Sequence, residues 1–564
     1  MPPAIAVADQ RYLIQIVRRA AAAALAGDND YSPSYRPKSL DGLQCQLVVT
    51  FRQAGAARGR GISPLLPALD AAAAGARVAI ENARQAGSVD SDALDRWLIE
   101  MEAVGQPVPA DLPNDWSEGD WIETLLEPGV HGVALEYGGQ QKLLCPTEIF
   151  TTDHLMHDAL LSLGEQLGLS ASQLAQASIS RFRTTHWVEL RPGGEVVQLQ
   201  CGLIVIPPRA VTERALNAAI ERLAEYMMYR QRADGAFSYQ YEPARDQYSE
   251  EDNAVRQAGA AWALSYYARR SRSAAALASA DLAIRNHLER LTELTDIDGA
   301  AFIRTPDNDN ELGVTALTCL ALLDHPQRER FTTDINRLLT GILWLQRPDG
   351  RFITAFPPAH QLPSQNYFPG EALCALARAY RADPQERYMQ AFGRALDFYR
   401  NYFEKQRVPA FVPWQVQAFS EMALQSKRED FARFVLEMSD WLAGTQLNEH
   451  NCPWPEMWGG FAPYTTGRAG VSTASYLEGF VDALRLARQR GDAERARRYE
   501  QAIAAAVRFV IQLQVRPEEA YFIRSPQDAV GGIRTTPSHN HLRIDHCQHA
   551  LMALCKARDV LFSD

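Results

Sequence analysis

The sequence predicts a multidomain protein, an α+β N-terminal domain over 1–208 followed by an all-α (α/α)6 toroid over 209–564. Three observations predict it. The first third of the chain mixes strand and helix signals. From Ala210 onward helix follows helix. A turn then recurs between helices, QRADGAF at 231–237 and QRPDGRF at 346–352, which marks an internal repeat.

In the N-terminal part, 43–51 (LQCQLVVTF) is rich in β-formers and partly alternates, and 133–137 and 196–206 also read as strands. Helical runs fall at 65–85 and 152–167. The apolar run 20–26 follows Arg18 and Arg19 and precedes Asp28 and Asp30, and is far shorter than the roughly 18–20 residues of a membrane span. Asp9 and Arg11 interrupt the pattern of a secretory leader, so the segment reads as an amphipathic first helix. Pro207 and Pro208 punctuate the boundary.

The toroid rests on counting second helices. They are rich in Ala and Leu and open near Asn253, Glu311, Asn366, Trp414, Ser475 and Asp545, which makes six hairpins. Small residues, as in NAVRQAGAAWAL at 253–264, let such helices crowd into an inner ring. Outer helices are amphipathic, as with the stripe Leu216, Ile220, Leu223 and Met227. Asp298-Gly299 with Phe302 reads as a partial third copy of the turn. An open solenoid is the alternative arrangement.

Composition narrows the function classes. There are 57 Lys+Arg against 68 Asp+Glu in 564 residues, a formal charge of −11, so the surface repels polyanions and nucleic acid is not an expected partner. Eight cysteines are too sparse for a disulfide scaffold and suit a reducing compartment. A cytoplasmic protein that neither enters a membrane nor carries a cofactor is expected.

In a toroid the inner-helix N-termini gather at one mouth, where free amides and the helix dipole suit anionic groups. The expected catalytic residues there are Glu371, Glu478, Asp252, Asp545 and His549. Glu371 and Glu478 each sit beside a glycine (Gly370, Gly479) in a mostly apolar helix, which points them to the axis. Asp252, Glu311 and Asp545 read first as helix caps or first-turn acids, and alternatively as members of an acid–base pair acting on a glycosidic bond or a sugar carbon. Substrate contacts are expected from Tyr248, Arg256, Tyr367, Trp414, Trp454, Glu456, Trp458, Arg534 and His546, with Tyr464 as a further aromatic. Sugar rings lie on such aromatic faces while polar groups take the hydroxyls.

The densest constellation is GGIRTTPSHNHLRIDHCQH at 531–549. His546 and His549 stand three apart and share a helix face, and Cys452 or Cys547 lies within reach in principle. No cluster stands at recognised zinc spacing, so no metal is expected. The histidines read either as an acid/base oriented by a carboxylate or as a structural network.

Two resemblances follow from these residues. VVTF at 48–51, PGVHG at 128–132 and LLCP at 143–146 resemble the AMMECR1 family, which implies a compact α+β domain. The family's L-R-G-C-I-G segment has its counterpart in ARGRGI at 57–62, where Arg60 replaces the cysteine, so chemistry dependent on that thiol is not carried over. The helical part resembles the six-hairpin glycosidase superfamily through its hairpin count and openings such as NYFPGEALCALARAY at 366–380. That likeness implies a glycoside hydrolase, lyase or sugar epimerase acting on a saccharide at the mouth. The turns also look like those of terpene cyclases, but PDNDNE at 306–311 is not their Asp-rich motif. The rival reading is a non-catalytic assembly protein that holds a glycan or protein at the mouth, with the N-terminal domain as the surface for a protein partner.

Overall fold

The computed structural model describes residues 3–90, 92–112, 122–200, 202–358, 365–463 and 468–562. The chain opens with α1 (Val7–Leu25), amphipathic as read, which buries Leu13, Ile16, Val17 and Ala20. The main N-terminal sheet contains β1 (Gln44–Gln53), β2 (Ala56–Ile62), β3 (Leu98–Val104), β7 (Thr184–Glu189) and β8 (Val196–Leu199). These lie antiparallel in the order β8-β7-β3-β1-β2, and the Ala-rich helix α2 (Ala68–Gln85) packs on β1 and β2. A second sheet holds β4 (Gly132–Tyr137), β5 (Gln140–Leu144) and β6 (Ser178–Phe182), in the order β6-β4-β5. It is flanked by α3 (Pro146–Thr152) and α4 (Met156–Gln166).

The strand expected over 196–206 stops at Leu199. The backbone amides of Ile204 and Ile206 instead donate to the side chains of Glu519 and Gln512, at 3.0 and 3.1 Å. Backbone donors need partners when buried, and here the helical part supplies them in place of a neighbouring strand.

Six helical hairpins follow. The outer helices are α5 (Glu213–Tyr229), α7 (Ala274–Leu288), α9 (Thr332–Trp344), α11 (Glu386–Lys405), α13 (Glu429–Ala443) and α15 (Ala493–Leu513). The inner helices are α6 (Ala254–Ser271), α8 (Leu312–Leu323), α10 (Phe368–Ala382), α12 (Val412–Ser426), α14 (Ser472–Gln489) and α16 (Ile544–Leu561). Each inner helix packs on the next, and α16 returns to α6, which closes the ring and excludes the open solenoid. Two short strands, β9 (Gln240–Glu242) and β10 (Gln247–Tyr248), form a small sheet with β11 (Arg534–Thr536) and β12 (His539–Arg543) at the ring's seam.

The repeated turn is a clasp. Gln231 pairs with Phe237, and its side-chain amide donates to Gly235 O and to Ser279 O of α7. Gln346 does the same with Phe352, Gly350 O and Ala391 O of α11. Two further copies join Gln446 to Gly459 O and Ala502 O, and Gln514 to Gly531 O and Ala219 O of α5. The last of these ties the final outer helix to the first. Each clasp needs its glycine. Gly350 has φ +92°, and a Cβ there would lie 2.0 Å from Arg394 O. The turn around Asp298-Gly299 is a partial copy: Phe302 pairs across it, but with Thr292 in place of a glutamine, and Gly299 faces open space, so the clasp itself is absent there.

The two parts share one continuous core, in which Phe150, Val188, Leu199 and Ile206 join the toroid residues. Arg508 reinforces the junction, donating to the carbonyls of Ile206, Trp458 and Pro455. No helix among the described residues is long and apolar enough to cross a membrane.

Candidate active site

First turns of the inner helices converge on a cavity of about 410 Å³, and all six hairpins contribute to its wall. Arg256 comes from α6, Glu311 from the start of α8, and Tyr367 with Glu371 from the start of α10. Trp414 comes from α12, Ser475 from α14, and Asp545, His546 and His549 from α16.

Glu371 is 3% exposed, and its Oε2 makes no hydrogen bond. Its carboxyl rests against Gly313, where a Cβ would stand 2.6 Å from Oε2. Burial, helped by the nearby Glu311, pushes Glu371 up to about 8. Glu311 is itself pushed up to about 7, by burial and by Asp307 and Asp309. Two carboxyls that disfavour charge therefore lie on one side of the cavity.

The opposite protonation state holds around α16. Burial works against the charge of Asp545, but His546, once protonated in acid, together with Arg543 and Arg256 outweighs it and keeps the group well below the ordinary carboxylate range. Arg543 grips both oxygens at 3.1 and 2.9 Å, and Arg256 Nε lies 3.2 Å away. His546 is pushed down to about 4, chiefly by burial, so it is a neutral imidazole.

His549 and Glu478 form a dyad. Glu478 is fully buried on α14, and its Oε1 lies 2.8 Å from Nδ1 of His549. Its Oε2 has no hydrogen-bond partner. Glu478 occupies Nδ1, which leaves Nε2 as the ring nitrogen not held by the carboxylate. The Trp414 ring meets the imidazole edge-on with centroids 5.7 Å apart.

Of the residues expected at the mouth, the structure thus brings together Glu371, Asp545, His546, His549, Arg256, Tyr367 and Trp414, with Glu478 behind His549. The others lie elsewhere. Asp252 flanks a neighbouring cavity of about 370 Å³ and accepts from Gln257, while Asn253 caps α6. Tyr248 donates its hydroxyl to Asp528 and lies under the guanidinium of Arg230. Trp454 and Glu456 meet Arg183 of the N-terminal part, 4.1 Å from the ring and 3.5 Å from the carboxylate. Trp458 donates to the carbonyl of Cys452 at 2.8 Å. Arg534 is fully buried against Glu519 at 3.1 Å and Asn540. Trp454 and Glu456 thus lie at the seam between the two parts, and Arg534 holds Glu519, whose other oxygen takes the Ile204 amide there, while Asp252, Tyr248 and Trp458 find their partners within the helical part. Tyr464 lies outside the described residues. Neither Cys452 nor Cys547 lines the cavity.

Sequence reasoning read Glu311 only as a cap or one of an acid pair and did not connect it with Glu371. The acids of PDNDNE immediately before it were the available signal.

No protein-family model and no curated protein matches the chain. Several solved structures are similar. A cellobiose 2-epimerase from Bacillus thermoamylovorans is 11% identical, with a TM-score of 0.45 over 61% of this chain and 99% of that one. A GH76 α-mannanase from Bacteroides thetaiotaomicron is 9% identical, with a TM-score of 0.43 over 61% and 95%. An uncharacterized protein from Pyrococcus horikoshii is 18% identical, with a TM-score of 0.30 over 34% of this chain and 96% of that one.

Proposed function

We propose that the central cavity is the active site of a carbohydrate-active enzyme in which Glu371 is the general acid and His549 the general base, with Glu478 orienting His549. One observation carries this reading: a carboxyl held protonated near neutral pH and a carboxylate-held imidazole line the same cavity. Pushing two titratable environments apart is how one site supplies both an acid and a base. Glu478 fixes the imidazole through Nδ1 and stabilises the imidazolium that forms when Nε2 takes a proton. Glu371 gives its proton to a sugar oxygen or carbon and becomes charged only as the reaction proceeds. Trp414 and Tyr367 offer faces for the sugar ring. Asp545, locked in its arginine pairs, orients the wall and does not exchange protons. Among hydrolysis, elimination and epimerisation, proton transfer at a sugar carbon needs only this acid and this base.

The test is a screen of oligosaccharides, uronates and reducing sugars against wild type and Glu371→Gln. Turnover lost in the variant, with binding kept, is the expected result. Tight glycan binding without turnover by wild type would move the protein to the binding class. No glycan binding at all would sink the sugar reading.

For the N-terminal part, 1–208, we take the AMMECR1-like module to be structural. In support, Arg60 stands where the resemblance places a cysteine, and it is ion-paired with Glu148. Halves cut near Pro207 and mixed as separate chains should then restore activity. An N-terminal point substitution that abolished turnover while leaving the fold intact would count against this.

A further inference from the structure

Away from the cavity, a second cluster joins the two parts of the chain. β12 carries His539 and His541, two residues apart, so both imidazoles leave the same face of the strand. α3 ends at Asp153, in the left-handed conformation at φ 55°, and this places its carboxylate between them. Oδ1 lies 3.2 Å from Nδ1 of His539, and Oδ2 lies 2.5 Å from Nε2 of His541. One donor atom from each residue falls within 4.8 Å of the others. Asn540, between the histidines, donates its side chain to Phe150 O at 2.7 Å and pins the strand onto α3.

A simple ion pair leaves part of this unexplained. The Asp153 side chain is only 8% exposed, yet its Oδ1 makes no hydrogen bond. A buried carboxylate oxygen without a donor is costly, and the His539 nitrogen 3.2 Å away lacks hydrogen-bond geometry. The histidine side chains remain 33% and 29% exposed, which gives an ion a path from solvent. Glu242 lies near His541, and the two cations in range are already paired: Arg245 with Glu242 at 3.5 Å and Arg468 with Glu127 at 3.8 Å.

We propose that Asp153, His539 and His541 bind a divalent transition-metal ion of the zinc class, with water completing its coordination. Two imidazole nitrogens and one carboxylate oxygen suit zinc, cobalt or nickel. They are too nitrogen-rich and too few for calcium or magnesium, and they lack the thiolates that soft ions require. The ion ties the end of α3 to the strand that runs through Arg543 into α16, the helix that carries Asp545 and His549. The cluster lies outside the cavity wall, so the inference is independent of the sugar reading.

Full-length protein stripped with EDTA is titrated with Zn²⁺ by calorimetry and with Co²⁺ by visible absorption. One ion per chain is expected, together with a rise in melting temperature. Asp153→Asn, His539→Ala and His541→Ala should each weaken Zn²⁺ binding about a hundredfold or more and abolish the thermal rise. His450→Ala, at an exposed histidine elsewhere, should change nothing. The wild-type cobalt spectrum should show d–d bands without a sulfur charge-transfer band, and this readout stands even where a variant fails to fold. Absence of stoichiometric binding by wild type, unchanged affinity in the three variants, or a sulfur band would overturn the proposal.

Discussion

Replacing Glu371 by glutamine removes a group that the folded protein prefers uncharged and keeps its shape. The carboxyl titrates at an ordinary 4.5 when unfolded and at about 8 in the folded cavity. The native state therefore holds a proton that the unfolded chain releases, and stability falls as pH rises between those values. Below 4.5 the wild type carries no penalty; above 8 the penalty is complete. Each pH unit in that window costs about 1.4 kcal/mol, which gives about 3 kcal/mol at pH 7 and about 5 kcal/mol at pH 9. With an unfolding entropy of about 2.1 cal/mol/K per residue over a chain whose two parts share one core, Glu371→Gln should melt roughly 3 °C above wild type at pH 7. The difference should shrink towards zero near pH 4.5. Differential scanning calorimetry of both proteins from pH 4.5 to 9 measures the slope, and any constant offset from the amide drops out. A melting difference that stays flat across that range would refute the reasoning about burial. A stabilised variant without turnover would be the mark of a carboxyl kept for chemistry at the expense of stability.

Other outcomes follow from the same geometry. If Glu478 orients His549, Glu478→Gln should lower kcat at least about tenfold with little change in KM and should displace the pH profile, measured by steady-state kinetics. Gly350→Ala places a methyl on Arg394 O in a positive-φ turn and should cost about 2–3 kcal/mol in chemical denaturation. Gly299→Ala, also at positive φ but in open space, should cost only about 1 kcal/mol, and equal costs would discredit the clasp. Glu519→Ala leaves the buried Arg534 and the Ile204 amide without their partner and should destabilise by about 3–5 kcal/mol, read by denaturation and by faster proteolysis between 199 and 208.

The ring was legible because its signals are local. Ala-rich inner helices, amphipathic outer ones and the Gln-x-x-x-Gly turn each announce themselves within a short window. Two of the four clasps were not visible, because the step from glutamine to glycine lengthens from 4 positions at Gln231 to 13 at Gln446. Partnership across that distance leaves no fixed spacing to read. Glu371 and Glu478 stood out beside glycines, although the glycines answer to neighbouring helices: Gly370 faces Trp414 and Gly479 faces Pro413. Trp454, Trp458 and Arg534 were expected at the mouth because they are large, polar-tipped and close to inner-helix starts. Trp458 and Arg534 are instead held within the helical part, by Cys452 and by Glu519 with Asn540, while Trp454 meets Arg183 at a junction set by residues hundreds of positions apart. The Asp153 cluster was invisible for the same reason, since its carboxylate belongs to the other part of the chain.

A stack of repeats can lengthen or shorten by whole units and still work; this one cannot. Once α16 has met α6 and Gln514 has caught α5, the circumference is fixed at six, and a seventh hairpin would have nowhere to enter without parting the wall. Variation in such a protein is confined to the loops that rise above the rim, where length is free. The width of the chamber, and so the size of what it admits, was settled when the ring first closed.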